Sequence, residues 1–234
     1  MAGGLSNREA WDQHAEAWIA WARAEEHDHF FWRFSMPALL ELAPAPGRLT
    51  LDVASGEGRM ARALRDAGHT VLAIESSPTL VRAARKADRR MEVLRADVTR
   101  LPMGTEIADL AVCSMALMDF DDLDGALREI ARVLAPGGRL CASVSHPASS
   151  RKWVEHYFDT ARFVAPMKRA GLQMTFESFH HSLDDYTRAL EAAGFVIESL
   201  REPVPSRDYV SDHPEVARWR KEPALMTLRA RREP

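Results

Sequence analysis

A two-glycine turn set between an apolar run and a helical pattern constrains this chain more than any other feature. Leu49-Thr50-Leu51-Asp52-Val53 suits a short buried strand, and Ala54-Ser55-Gly56-Glu57-Gly58 a tight turn. Arg59 to Leu64 then reads as a helix with Met60, Ala61 and Leu64 on one side. Glycine lets the backbone approach a ligand closely, and the N–H groups of a first helical turn have no partner inside the helix. Glu75 closes the next apolar run, Thr70-Val71-Leu72-Ala73-Ile74, where a carboxylate in a strand–helix–strand unit accepts from a ribose diol. Gly56-x-Gly58-x-x-Ala61 also satisfies a dinucleotide fingerprint, and a tight turn with no ligand would look the same. Asp52 bears on the choice, because a pyrophosphate gains nothing from a neighbouring carboxylate.

The remaining chain alternates strand and helix. Ser6-Asn7-Arg8-Glu9 looks like a capping box, followed by Trp11, Ala15, Trp18 and Ala22 at helical spacing. An aromatic cluster at Phe30-Phe31-Trp32-Arg33-Phe34 precedes a helix from Pro37 through Leu42, and Pro44-Ala45-Pro46-Gly47 breaks the chain. Residues 1–45 therefore read as a helical cap on a core over 46–234. Gly68 ends the first core helix and Ser77-Pro78 caps the next. Strands are expected at 91–96, 108–114 and 139–145, with a helix from the Asp121, Asp122, Asp124 cluster to Leu134 that Pro136-Gly137-Gly138 stops. Residues 148–180 read as an irregular aromatic stretch placed where a substrate lid would lie. Ser182-x-x-Asp185 caps a helix ending at Gly194, and strands at 195–200 and 224–230 read as an antiparallel pair at the sheet edge, joined by a loop rich in proline and charge. The fold class is α/β: a doubly wound, seven-stranded, mostly parallel sheet with an antiparallel last strand. Ligands gather at the carboxyl ends of such strands.

Composition excludes several partners. The 234 residues carry a net charge of −3, so no basic field attracts nucleic acid or an anionic membrane. The apolar runs are strand-sized, too short to cross a bilayer, and Met1 to Arg8 lacks the basic-then-apolar pattern of a signal peptide. Cys113 and Cys141 sit inside strand-like runs, the expected pattern of buried free thiols in a reducing cytoplasm. No metal is expected: His27-x-His29 and His180-His181 lack further ligands at usable spacing and read as surface histidines.

The string Asp52-Val53-Ala54-Ser55-Gly56-Glu57-Gly58 resembles the Asp-x-Gly-x-Gly-x-Gly motif of class I S-adenosylmethionine-dependent methyltransferases, with Ala54 in place of the first glycine. Trp11-Asp12-x-x-Ala15-x-x-Trp18 resembles an N-terminal signature of the family, and Ile74-Glu75-Ser76-Ser77-Pro78 its second motif. Arg95-Ala96-Asp97-Val98-x-x-Leu101-Pro102 is similar to the third, Leu127 to Gly138 to the approach to the fifth strand, and Ala192-Ala193-Gly194-Phe195 to the last helix-to-strand turn. The resemblance implies S-adenosylmethionine as cofactor. It places the methionine part beside Asp52 and the loop of Ala54, Ser55, Gly56 and Gly58, the ribose on Glu75, and the adenine at Asp97 and Val98, with Trp11, Ser76 and Ser114 as further cofactor-binding residues. Many relatives carry Leu-His-His after the fourth strand; here Leu117-Met118-Asp119 stands, and Asp119 either contacts a substrate amine or caps the next helix. Trp18, Met118 and Asp119 are the substrate-side candidates.

The expected function is methyl transfer to a hydroxyl or amine of a small molecule, by a cytoplasmic monomer or homodimer. An RNA or protein methyltransferase and a non-catalytic nucleotide-binding module are the alternatives within the fold; the antiparallel last strand and Asp52 argue against a nicotinamide dehydrogenase. A hydroxyl acceptor needs a base, and His146, directly after the fifth strand, is the first candidate, with His180 second.

Overall fold

The computed structural model describes residues 5–24, 28–169 and 171–234. His27, part of the His27-x-His29 pair, lies outside the described residues. The cap consists of α1 (Asn7–Gln13), α2 (Ala15–Arg23), a π-helical turn over Phe30–Ser35, and α3 (Met36–Leu42). Ser6 and Glu9 form the capping box in full. The continuous spacing of Trp11, Ala15, Trp18 and Ala22 is broken at His14, whose φ of −92° and ψ of 3° separate α1 from α2.

The core runs β1 (Thr50–Val53), α4 (Arg59–Asp66), β2 (Val71–Glu75), α5 (Pro78–Ala87), β3 (Glu92–Arg95), β4 (Ala108–Ser114), α6 (Leu123–Val133) and β5 (Leu134–Ser145). It continues through the short helix α7 (Pro147–Ser150), the hairpin β6 (Ala161–Arg169) and β7 (Leu172–His180), then α8 (Leu183–Ala192), β8 (Phe195–Arg201), α9 (Arg207–Asp212) and β9 (Leu225–Arg232). The main sheet has seven strands in the order β3-β2-β1-β4-β5-β9-β8, and β9 alone runs antiparallel to its neighbours within it. Strand order reverses between β1 and β4, so their carboxyl ends open a crevice.

Both faces of the sheet are buried, as the nearly continuous apolar strands require. Leu110, Val112 and Cys141 pack with Met60, Leu64 and Val81 on one face; Ala111, Cys113 and Ala142 pack with Leu127, Ile130 and Leu190 on the other. The two cysteines are therefore on opposite faces, buried and free.

Three local expectations are corrected. Residues 161–180 are not irregular but a regular antiparallel hairpin with register Ala165↔Phe176 and Met167↔Met174. Period-two burial of Met174, Ser178 and His180 drives it. The connection from β8 to β9 contains α9 and a 3₁₀ segment, Pro214–Arg220, rather than loop alone. His180 and His181 are buried, not at the surface.

Gly58 initiates α4 with φ +86°, and a Cβ there would lie 2.6 Å from Met91 Sδ. Gly58→Ala is expected to destabilise the fold by about 1–3 kcal/mol, from left-handed backbone strain plus local overpacking. A urea midpoint equal to the wild type would show that the turn and Met91 relax at no cost. Among the described residues no helix is long and apolar enough to cross a membrane.

Candidate active site

A cavity of about 880 Å³ occupies the crevice, with the glycine turn and the ends of β1, β2 and β4 on one side and α1, α2 and the hairpin on the other. Trp11, Trp18, Asp52, Ala54, Ser55, Gly56, Glu75, Ser76, Asp97, Val98, Ser114, Met118 and Asp119 all line it. Gly58, His146 and His180 do not.

Asp52 is 1% exposed, and among the described residues neither carboxylate oxygen makes a well-formed hydrogen bond, although the Ala61 backbone N–H faces it. Burial pushes its pKa up to about 8. Trp11 Nε1, Ser55 Oγ and Ser114 Oγ, which line the same cavity, are likewise buried without partners among the described residues. Buried polar groups normally have partners. An orphaned carboxylate with nearby donors suits a ligand bearing both an ammonium and acceptor oxygens, as the methionine part of S-adenosylmethionine does.

Glu75 is held by its neighbours. Its Oε2 accepts from the Gly56 N–H at 2.8 Å and its Oε1 from the Ser77 N–H at 2.8 Å. Oε1 also accepts a long bond from the Ser76 hydroxyl at 3.5 Å, so Oε2 keeps a lone pair, and a vicinal diol would take the place of the weak Ser76 contact at Oε1. Burial raises the Glu75 pKa, and these N–H bonds oppose the rise. Gly56 adopts φ +59°, and a Cβ there would reach 3.3 Å from Trp18 Nε1, inside the ligand wall. Asp97 forms a local turn through the Thr99 N–H and hydroxyl at 2.9 and 2.8 Å, and its other oxygen meets Arg8 of α1 at 2.6 Å.

The cap is fastened to this site at several points. The Asn7 N–H donates to Asp121 at 2.8 Å, and the Asn7 side chain donates to the Asp119 carbonyl at 2.8 Å. Ser77, which caps α5, also donates to Asp12. Trp11, Trp18 and Trp21 each meet Phe176 of β7 edge-on, with centroids 6.2, 6.0 and 6.0 Å apart. These contacts exclude water and join cap to hairpin.

Asp119 is not a helix cap. Asp122 caps α6, accepting from the Gly125 N–H at 2.8 Å, while Asp119 accepts from the Ser178 hydroxyl at 2.6 Å in the cavity wall. Burial of its carboxyl pushes the pKa up to about 8, against the Ser178 bond. Asp52 and Asp119 both stand near Cys113, whose thiol is raised by burial first and by these two carboxylates next.

The expected histidine bases are placed elsewhere. His146 has the extended backbone expected before Pro147, but its Nδ1 accepts from the Ala148 N–H at 3.1 Å and its Nε2 lies 2.9 Å from Glu202. Burial lowers its pKa, with Glu202 opposing. His180 is fully buried, with Nδ1 2.7 Å from Ser150 Oγ and Nε2 2.8 Å from the Tyr157 carbonyl oxygen.

Sequence reasoning missed Arg59. Its guanidinium lies over the Phe31 ring at 3.5 Å and near the Trp18 ring at 4.8 Å, and it pairs with buried Asp28 at 2.6 Å. Arg59 thereby ties the glycine turn to the cap. The available signal was a cation in a first helical turn, where the dipole disfavours it, which asks for a compensating partner.

A model of the methyltransferase domain family matches residues 51–142. A ubiquinone/menaquinone biosynthesis C-methyltransferase of Caulobacter vibrioides is 30% identical over 191 residues, 71% of this chain and 74% of that one. A demethylmenaquinone methyltransferase of Corynebacterium kroppenstedtii is 36% identical over 99 residues, and the match spans only 42% of its length and 42% of this chain. The structure of an S-adenosylmethionine-dependent methyltransferase from Mesorhizobium loti superimposes with a TM-score of 0.67 at 26% identity, covering 84% of this chain and 96% of that one. The fold, the orphaned Asp52 beside the glycine turn, Glu75 at the end of β2 and these relatives agree: the chain belongs to the class I S-adenosylmethionine-dependent methyltransferases.

Proposed function

We propose that the chain transfers a methyl group to a hydroxyl or amine of a small molecule, with Asp119 as the proton acceptor. The observation that supports this is the Asp119 carboxyl: it lines the cavity, has a raised pKa, and meets Ser178 with no cation paired to it among the described residues. Bound S-adenosylmethionine supplies an electrophilic methyl group. Asp52 holds the ammonium, Glu75 with Ser76 the ribose, and Asp97 with Val98 the adenine, while Ala54, Ser55, Gly56 and Ser114 complete the wall. Gly58 acts beneath the loop, through its turn and its contact with Met91. Residues 1–45 act as cap and 148–180 as lid, and Trp11, Trp18 and Met118 bound the acceptor.

Alignment of the acceptor with the methyl supplies most of the acceleration. Asp119 takes the proton that an O–H or N–H acceptor must lose, and Ser178 fixes the carboxyl that takes it. The roof of α1, α2 and β7 suits a small, largely apolar acceptor better than an RNA strand. The Caulobacter vibrioides relative is named a C-methyltransferase of ubiquinone/menaquinone biosynthesis, which makes carbon the rival acceptor atom. The test is incubation with methyl-deuterated S-adenosylmethionine and a broad panel of phenols, amines and acids, read by product mass spectrometry. A deuterated O- or N-methyl product supports the reading; a product carrying the label only on carbon would overturn the hydroxyl-or-amine assignment.

His146→Ala is expected to leave kcat essentially unchanged, because both imidazole nitrogens face Ala148 and Glu202. A loss of about 10²-fold or more, with cofactor affinity intact, would return His146 to the mechanism.

A further inference from the structure

We infer that Lys152 and Arg218 form an anion-receiving rim on the acceptor side of the cavity, so that the methyl acceptor is an amphipathic acid, with an apolar body, the reacting hydroxyl or amine on one side and a single carboxylate on the other. The inference names the acceptor class for the methyl transfer proposed above, and its reacting group rests on that reading. Among the described residues four cations line the cavity: Arg8, Arg59, Lys152 and Arg218. Arg8 is neutralised by Asp97 and Arg59 by Asp28, each at 2.6 Å. Lys152 and Arg218 pair with no carboxylate among the described residues; Lys152 Nζ lies 5.1 Å from the centre of the Trp153 ring instead.

Both residues come from one edge of the cavity. Lys152 lies in the 3₁₀ turn Arg151–Trp153 that follows α7, and Arg218 in the 3₁₀ segment that leads to β9. β5 and β9 are antiparallel neighbours with Ser145 opposite Leu225, so the end of β5 and the start of β9 lie side by side. The His146 N–H donates to the Ala224 carbonyl at 3.0 Å, and the Ser149 hydroxyl to the Pro223 carbonyl at 2.7 Å, which holds the two segments together past the strands. At about 4.8 Å per strand, the β5–β9 junction stands roughly 10–14 Å along the sheet from β1, which leads into the glycine turn. Asp119 follows β4, which stands between β1 and β5. The rim is therefore displaced from the cofactor residues of β1 and β2 toward the far side of β4.

The walls beside the two cations are aromatic. Trp153 stacks parallel to Phe163 with centroids 5.8 Å apart, and Trp219 meets Phe30 edge-on at 5.2 Å; all four line the cavity. An aryl or short alkyl body packs against such walls. Both cations are exposed, so a carboxylate between them keeps part of its hydration and little desolvation opposes the contact. The arginine fork matches the two oxygens of a carboxylate. Glu222 lines the same end of the cavity. Its charge offsets one of the two cations, which suits a monocarboxylate better than a dianion.

The experiment is calorimetric titration of the full chain, saturated with S-adenosylhomocysteine, with matched acids and primary amides. The pairs are phenylacetate and phenylacetamide, 3-hydroxyphenylacetate and its amide, 3-phenylpropionate and its amide, and indole-3-acetate and its amide. The expected result is that in at least one pair the acid binds about tenfold or more tighter than the amide. Arg218→Gln and Lys152→Gln should each weaken that acid at least about threefold, and the double variant should abolish the preference. Lys221→Gln, an exposed charge outside the cavity, should leave it unchanged. Circular dichroism confirms that each variant is folded. The absence of an acid preference in every pair, or a preference that survives in the double variant, would overturn the inference. So would a loss of S-adenosylhomocysteine affinity in Arg218→Gln and Lys152→Gln, which would assign these cations to the carboxylate of the cofactor. No methyl transfer enters these titrations. A label found only on carbon in the deuterium experiment would therefore overturn the hydroxyl-or-amine reading and leave the rim standing, and a missing acid preference would remove the rim and leave that reading standing.

Discussion

Replacing Asp119 by asparagine should lower kcat by about 10²–10⁴-fold while leaving S-adenosylmethionine affinity nearly intact, the range expected for loss of a general base. Asparagine keeps the size of the side chain and an oxygen that accepts from the Ser178 hydroxyl, so packing is retained and only proton uptake is lost. The pH profile separates this role from a structural one. A base must be ionised, so wild-type kcat should fall as pH drops below about 8, the value to which burial raises Asp119. The Ser178 bond lowers that pKa, so Ser178→Ala should move the descending limb to higher pH. Full activity in Asp119→Asn, with the wild-type pH profile, would remove Asp119 from the reaction and favour an acceptor nitrogen that arrives already deprotonated.

Asp52→Asn should weaken S-adenosylmethionine by about 1.5–3 kcal/mol, roughly 10–150-fold, the scale of a hydrogen bond to a charged group. The pH dependence is the sharper signature. With its pKa at about 8, Asp52 is mostly protonated at neutral pH in the unliganded protein, and an ammonium requires the carboxylate. Binding must therefore expel a proton, about 0.9 per site at pH 7, and affinity should fall roughly 50-fold between pH 8 and pH 6. Calorimetry at pH 7 in buffers of different ionisation enthalpy measures the released proton. Asp52→Asn should abolish that release. Binding with no proton release by the wild type would show that the ammonium is held elsewhere. The linkage also sets the sign for the empty protein. A carboxyl with a raised native pKa favours the fold most at low pH, and that contribution is lost as pH climbs toward 8.

The parts of this site that were legible in the sequence are those governed by local chemistry. Gly56 and Gly58 mark positive φ, Ser77-Pro78 marks a helix start, and Glu75 ends an apolar run; each rule acts over a few residues, and the structure follows it. The sheet was legible because β1, β2, β4 and β5 are apolar on both faces and turn residues separate them. The hairpin was hidden because Pro166 and the charged residues of its outer face interrupt the alternation in β6. His146 and His180 could be placed near strand ends, but the direction of an imidazole is set by its partners. Those partners, Glu202, Ser150 and Tyr157, come from distant segments. In the sequence Asp119 reads equally as a substrate contact and as a cap for the next helix, whose start the Asp121, Asp122 and Asp124 cluster also marks. Ser178, contributed by the hairpin, distinguishes the two.

Calorimetric titration of the wild-type chain with S-adenosylmethionine, S-adenosylhomocysteine and NAD, each repeated on Glu75→Ala, tests the site most directly. One-to-one binding of the two adenosyl ligands, weakened in Glu75→Ala by about 1.5–3 kcal/mol, with no heat from NAD, is the predicted result. Binding of NAD without S-adenosylmethionine, or adenosyl affinities unchanged in a folded Glu75→Ala, would contradict it.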